Sequence, residues 1–192
     1  MGNLIVICAP SGAGKTSVVK YLLSKNNKLV FSISACSRKK RAYEENGVDY
    51  HFIDPDMFRK KIENNEFLEW EEVYPNQFYG TLKRYVDENI CKNKNMIFDI
   101  DVVGGLNIKN IYKNKCLSIF IAPPSIAELK NRLEKRGTES IENINTRIKY
   151  AKQEILKKSE FDVVVLNKNF SDCCAKVEKI ITNFISKQWK QA

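Results

Sequence analysis

Apolar residues recur along the chain in two rhythms. Short unbroken runs at Leu4-Ile5-Val6-Ile7-Cys8, at 29–33, at Met96-Ile97-Phe98-Asp99-Ile100-Asp101, at 116–122 and at 161–166 have the length and β-branched content of strands buried on both faces. Between them the apolar spacing lengthens to three and four. Val18, Val19, Leu22 and Leu23 predict a helix over 16–25, and further helices are expected over 102–112, over 125–136 with Gly137 as the stop, around Arg147, and over 171–190. Strands alternating with helices predict an α/β fold, a mainly parallel sheet with helices on both faces.

One stretch breaks the alternation. Ser37-Arg38-Lys39-Lys40-Arg41 is a dense cationic turn, and the alternating segment Gly47-Val48-Asp49-Tyr50-His51-Phe52-Ile53 reads as a strand. Asp54-Pro55 supplies an N-cap followed by proline at the first helical position, for a helix carrying Met57, Phe58 and Ile62 that Asn64-Asn65 stops. Phe67-Leu68-Glu69-Trp70 begins another strand, and Phe78-Tyr79-Gly80-Thr81 is expected to be a turn into a helix over 82–91. Residues 34–90 are therefore expected to form a compact insertion between strands of the main sheet.

Candidate chemistry begins after the first apolar run, at Ala9-Pro10-Ser11-Gly12-Ala13-Gly14-Lys15-Thr16. A strand that breaks into a glycine-rich turn and then a helix starting at Thr16 points backbone N–H groups and the helix's positive end at one anion. Gly12 and Gly14 let the backbone curl close to a polyphosphate, Lys15 reaches its outer oxygens, and the Thr16 hydroxyl is placed for a magnesium ion. The strict pattern opens with glycine where this chain has Ala9, which is tolerable only at negative φ. The bland alternative, a glycine-rich turn beside a surface lysine, leaves Lys15-Thr16 as coincidence. Asp99 and Asp101 end the strand at 96–101, and in such a site an acid there lies near the magnesium and its water shell.

Composition narrows the setting. The 192 residues suit one domain with a substantial core, and 43 % apolar with 29 % charged residues is a soluble globular composition. No apolar run approaches a membrane span or a signal-peptide core, so a cytoplasmic protein without a membrane role is expected. Cysteines at 8, 36, 91, 116, 173 and 174 lack paired spacing, and only His51 could help them hold zinc; they read as reduced thiols. The formal charge of +9 allows nucleic-acid binding, but lysine mixed with asparagine, as at Lys92-Asn93-Lys94-Asn95, reads more simply as a compositional habit. No nucleic-acid partner is expected, and the chain is expected to be a monomer or weak dimer.

A chain that grips a nucleoside triphosphate needs an acceptor, and the insertion carries suitable groups. Arg38 and Arg41 can fork onto a phosphate, and Tyr50 and Tyr79 add hydroxyl donors without charge. Glu69 in a cationic pocket reads a base edge only if that edge offers donors; guanine offers its N1–H and its exocyclic amino group, whereas adenine presents a lone pair. Taken singly, Arg38, Arg41 and Glu69 are also what ordinary surface ion pairs look like. His51, on the inserted strand, reads as a packed or exposed ring rather than a catalytic one.

In order along the chain, Pro10 through Thr16, Ser32-Ile33-Ser34 with Arg38 and Arg41, Asn46-Gly47-Val48-Asp49-Tyr50, Asn64-Asn65-Glu66-Phe67-Leu68-Glu69-Trp70, Tyr79-Gly80-Thr81, Asp99-Ile100-Asp101, Ile121-Ala122-Pro123-Pro124-Ser125 and the stretch 132–138 resemble the guanylate kinases. The resemblance covers nearly the whole chain. It implies the P-loop nucleoside monophosphate kinase fold, with a core (1–33, 91–137, 158–192), a GMP-binding subdomain (34–90) and a mobile lid (138–157). It also implies Mg²⁺-dependent phosphoryl transfer from ATP to GMP. By position, ATP would meet Ser11, Gly12, Ala13, Gly14, Lys15, Thr16, Ser17, Arg132, Arg136 and Asn167. GMP would meet Ser34, Arg38, Arg41, Tyr50, Glu69, Tyr79, Thr81, Asp99 and Asp101. Thr16 and Asp99 would serve the metal, largely through water, while Lys15, Arg38, Arg41, Arg136 and Arg147 would stabilise the transferring group. The chain departs from the family at Ala9, near Lys40 and Tyr43 where proline and glycine are usual, and by one extra residue before Tyr79. Other base preferences, a catalytically silent phosphoprotein-binding module, and a nucleic-acid-binding P-loop protein are the rival readings.

Overall fold

A computed structural model describes residues 1–136 and 140–189, without the side chains of Arg136, Lys187, Gln188 and Trp189. The expected helix stop at Gly137, the polar segment opened by Thr138 and Glu139, and the expected helix end at Lys190 lie outside the described residues. β1 (Leu4–Cys8), β2 (Leu29–Phe31), β7 (Asn95–Asp99), β8 (Cys116–Ala122) and β9 (Val163–Leu166) form one parallel sheet in the order β2-β7-β1-β8-β9. β1 lies at its centre, with Ile5 between Ile97 and Leu117. Its alternate side chains enter two cores, because a strand presents successive residues to opposite faces. Ile5 and Ile7 pack with α1 (Lys15–Lys25), α5 (Ile126–Arg136), α6 (Ile141–Leu156) and α7 (Phe170–Trp189). Leu4, Val6 and Cys8 pack with α3 (Lys83–Cys91) and α4 (Val102–Tyr112).

The chain leaves this sheet after β2 and builds a second one. β3 (Ala35–Cys36), β4 (His51–Phe52), β5 (Phe67–Tyr74) and β6 (Gln77–Leu82) assemble in the order β4-β3-β6-β5, covered by α2 (Pro55–Glu63). Its core is small and aromatic: Phe58 stacks on Phe67 at 4.3 Å and on Phe78 at 5.3 Å between ring centroids. Asp54 caps α2 by accepting the Met57 N–H at 2.8 Å, and Asn65, at φ 54, turns the chain after it.

Several local expectations fail here. Phe78-Tyr79-Gly80-Thr81 is strand, not turn; the reversal is made by Pro75 and Asn76, the latter at φ 63. Gly80 is needed for closeness, since a Cβ there would stand 2.8 Å from the Glu69 carbonyl oxygen on β5. The strand expected over 47–53 shrinks to two residues, because Gly47 at φ 80 closes a turn whose N–H donates to the Tyr50 carbonyl at 2.8 Å. Met57 points outward, 45 % exposed, while Phe58 alone of that helix is fully buried. α1 begins at Lys15, one residue early, β2 ends at Phe31, and the two-residue β3 is too short to leave a pattern in the sequence.

Candidate active site

The loop between β1 and α1 leaves the carboxyl end of the sheet, where α/β folds place ligands. Gly12 (φ 90) and Gly14 (φ 97) take the left-handed backbone that L side chains avoid, and Ala9 is not among the positive-φ residues, so its Cβ is accommodated. The loop is braced from behind. Asn167, following β9, donates from Nδ2 to the Ala13 carbonyl at 2.7 Å, and Arg132 on α5 donates to the Asn167 carbonyl at 3.0 Å. A Cβ at Gly14 would lie 2.6 Å from Asn167 Nδ2. Asn167 and Arg132, read from the sequence as ATP contacts, thus hold the loop itself in this structure.

Lys15 turns toward the neighbouring strand. Its ammonium sits 2.8 Å from Asp99 Oδ1 and donates to the Ile100 carbonyl at 2.5 Å. Asp99 is thereby paired with the loop's lysine. Thr16 and Ser17 stand in the first turn of α1, both exposed. From α6, Arg147 reaches Ser11 Oγ at 2.5 Å, which ties that helix to the loop.

The inserted sheet supplies the opposite wall. Arg38 places its two terminal nitrogens on Glu44 at 2.6 and 2.5 Å, donates from Nε to the Tyr79 hydroxyl at 3.1 Å, and lies over the Tyr50 ring. Glu44 also accepts the Arg41 N–H, and the Arg38 hydrogen bonds bring its carboxyl down to about 2. Arg41 itself is exposed and donates to the Tyr43 hydroxyl at 3.0 Å. Ser34 lies where the chain enters the insertion, its carbonyl accepting the His51 N–H. The His51 ring packs edge-on to Tyr85.

Glu69 is 7 % exposed on β5 and accepts the Thr81 hydroxyl of β6 at 2.6 Å. Burial, with Asp101 and Glu71 nearby, pushes its carboxyl up to about 7 against the lowering effect of Thr81. Asp101 caps α4, accepting the N–H groups of Val103 and Gly104 at 2.7 and 2.9 Å. A cleft of about 1120 Å³ separates α6 from the insertion, lined among others by Ser11, Arg41, Glu71, Asp101, Arg147 and Glu154. Glu154 follows Arg147 by two helical turns on the same face, and burial raises its carboxyl to about 7.

Two acids of this site are not evident from the sequence. Glu44 leaves a signal, a carboxylate three residues beyond Arg41 inside a cationic turn. Glu154 leaves only its heptad spacing from Arg147, which any exposed helix face also provides.

The model of the family described as guanylate kinase matches residues 1–184. The chain belongs to the guanylate kinase family. A guanylate kinase of Bacteroides thetaiotaomicron is 48 % identical over 187 residues, 97 % of this chain and 92 % of its own length. One from Porphyromonas gingivalis is 48 % identical over 188 residues, 97 % of this chain and all of its own. The crystal structure of guanylate kinase from Anaplasma phagocytophilum superposes with a TM-score of 0.77 at 28 % identity, covering 96 % of this chain and 86 % of that one. The P-loop nucleoside monophosphate kinase fold expected for this family is the one described above. Among the described residues no helix is long and apolar enough to cross a membrane.

Proposed function

We propose that the chain transfers the terminal phosphoryl group of ATP to GMP, giving ADP and GDP, within purine nucleotide metabolism of the cytoplasm. The observation that carries this reading is the position of Glu69: a buried carboxylate, fixed by Thr81, close to Asp101, which lines the cleft together with Arg147 and Ser11. A donor-rich base edge suits an ionised carboxylate there, and guanine is the nucleotide base with two adjacent donors.

In this reading the 34–90 segment binds GMP and the 138–157 segment is the lid over a core made of the rest. Ser34, Glu69, Thr81 and Asp101 recognise guanine, and Arg38, Arg41, Tyr50 and Tyr79 hold its phosphate. The N–H groups of residues 11–17 and the start of α1 bind the ATP phosphates. A GMP phosphate oxygen attacks the terminal phosphorus in line; the new P–O bond forms as the bond to the ADP oxygen breaks, and no covalent enzyme intermediate is needed. Lys15, Arg38, Arg41, Arg136 and Arg147 offset the charge of two phosphates brought together. The Thr16 hydroxyl and Asp99 carboxylate are hard oxygen donors that suit Mg²⁺, which when bound with ATP supplies further charge neutralisation.

The test is ADP release with Mg²⁺-ATP and each of GMP, AMP, CMP, UMP and dTMP, repeated with Glu69→Gln. Turnover with GMP alone, weakened selectively by the substitution, is the expected result. Binding of GMP without any phosphorylation would assign the chain to the silent binding modules.

A further inference from the structure

Glu69 lies against a place where a side chain is missing. Gly104, in the first turn of α4, has no positive φ, so its backbone does not require glycine, and glycine inside a helix is less favourable than alanine. Space explains it instead. A Cβ at this position would stand 2.7 Å from Glu69 Oε2, 3.2 Å from Glu69 Cδ and 3.0 Å from Asp101 Oδ2. Neither carboxylate can step aside cheaply. Thr81 pins Glu69 by its other oxygen at 2.6 Å, and Asp101 is pinned by the Val103 and Gly104 N–H groups it caps.

We infer that Gly104 is a specificity-determining positioning residue: the gap over its Cα is the seat that sets the aim of Glu69 toward guanine. The core helix thereby fixes the reach of a carboxylate carried by the inserted sheet. The inference rests on the proposed GMP phosphorylation and adds to it what decides the register between Glu69 and the base. Two-point recognition of N1–H and the amino group depends on the position of both carboxylate oxygens to within a few tenths of an ångström, whereas none of the proposed ATP contacts lies on α4.

The experiment compares KM and kcat for GMP, for IMP (which lacks the exocyclic amino group) and for ATP in the full-length wild type, in Gly104→Ala, in Glu69→Asp and in the two substitutions combined. Gly104→Ala should raise the GMP KM roughly 10- to 100-fold, with kcat falling less and the ATP KM little changed. Its preference for GMP over IMP should drop by about tenfold, because the second contact is lost first. The shorter aspartate side chain should relieve the crowding, so the double variant should lose less than the two single losses multiplied. An unchanged GMP-to-IMP ratio in Gly104→Ala, or a loss shared equally by ATP, overturns the inference while leaving GMP kinase activity intact. If Gly104→Ala does not fold, recovery of thermal unfolding in the double variant supports the seat, and a double variant as unfolded as the single overturns it. A wild type that does not phosphorylate GMP overturns the proposed function as well.

Discussion

The two walls of the cleft are built from different materials. On the wall proposed to meet ATP the surface is mostly backbone: N–H groups of a glycine loop, positioned by β1 in the middle of a five-stranded sheet and braced by Asn167. The region proposed to meet GMP is built mostly of side chains drawn from separate segments: Arg38 on Glu44 and Tyr79, and Glu69 on Thr81 over Gly104. Backbone recognition needs a particular local conformation and is robust to most side-chain changes. Side-chain recognition needs each group held by another, so it is tunable and easily misaligned. The arrangement fits a site where one partner is a common polyphosphate and the other must be told apart by its base.

Substitutions can break this comparison at either wall. The largest effect is expected at Lys15, a side chain on the backbone-built wall. Lys15→Met should lower kcat by roughly 10²- to 10³-fold, with the GMP KM changing far less, and Arg147→Ala should act in the same direction; steady-state kinetics at saturating GMP reads both. Near-normal turnover would remove either residue from transition-state stabilisation.

Next in size is the pH response of the side-chain wall. Burial pushes the Glu69 carboxyl up to about 7, and in its proposed role only the ionised form would accept both guanine donors. kcat/KM for GMP should therefore fall about tenfold per unit as pH drops below 7 and level off above it, and Glu69→Gln should abolish that limb. Glu154 titrates in the same range, so Glu154→Gln serves as the control that keeps the limb. For stability the sign is opposite. The folded Glu69 holds a proton between its ordinary value near 4.5 and about 7 that the unfolded chain has lost, so its contribution to stability declines as pH rises through that window.

Glu44 behaves in reverse and should give a smaller effect. Its carboxyl is depressed from 4.5 to about 2 by Arg38, so the stability it contributes is full above pH 4.5 and is lost as pH falls toward 2. Thermal unfolding followed across that range should show a shallower decline in Glu44→Gln than in the wild type. The smallest effect is expected at Ala9. Because its backbone is not left-handed and it is buried in the sheet core, Ala9→Gly should change the ATP KM by less than about twofold, measured in the same kinetic assay.

The predictability of the molecule follows the same division. The central strands and the helices between them are readable because each is specified by its own apolar spacing: the strand expected over 116–122 is β8 residue for residue, and the helix over 102–112 is α4. The glycine loop is readable because its chemistry lies in eight consecutive residues. In the insertion, local signals mislead. Gly80 looks like a turn residue, yet its glycine is demanded by the closeness of β5, a neighbour across the hairpin that no local pattern around Gly80 announces. Met57 and Phe58 are equally apolar, and only the aromatic stack beneath α2 chooses Phe58.

By itself, then, the sequence determined the α/β architecture, the phosphate loop and the identity of the groups that could read a nucleotide, because periodicity and contiguous motifs are local properties. The tertiary structure decided which of those groups face the cleft and which hold others in place. Asp99 went to Lys15 and Asp101 to the Glu69 seat, Asn167 and Arg132 became braces, and Glu44 took Arg38. Most of those assignments depend on distances between residues tens of positions apart, which no spacing along the chain encodes.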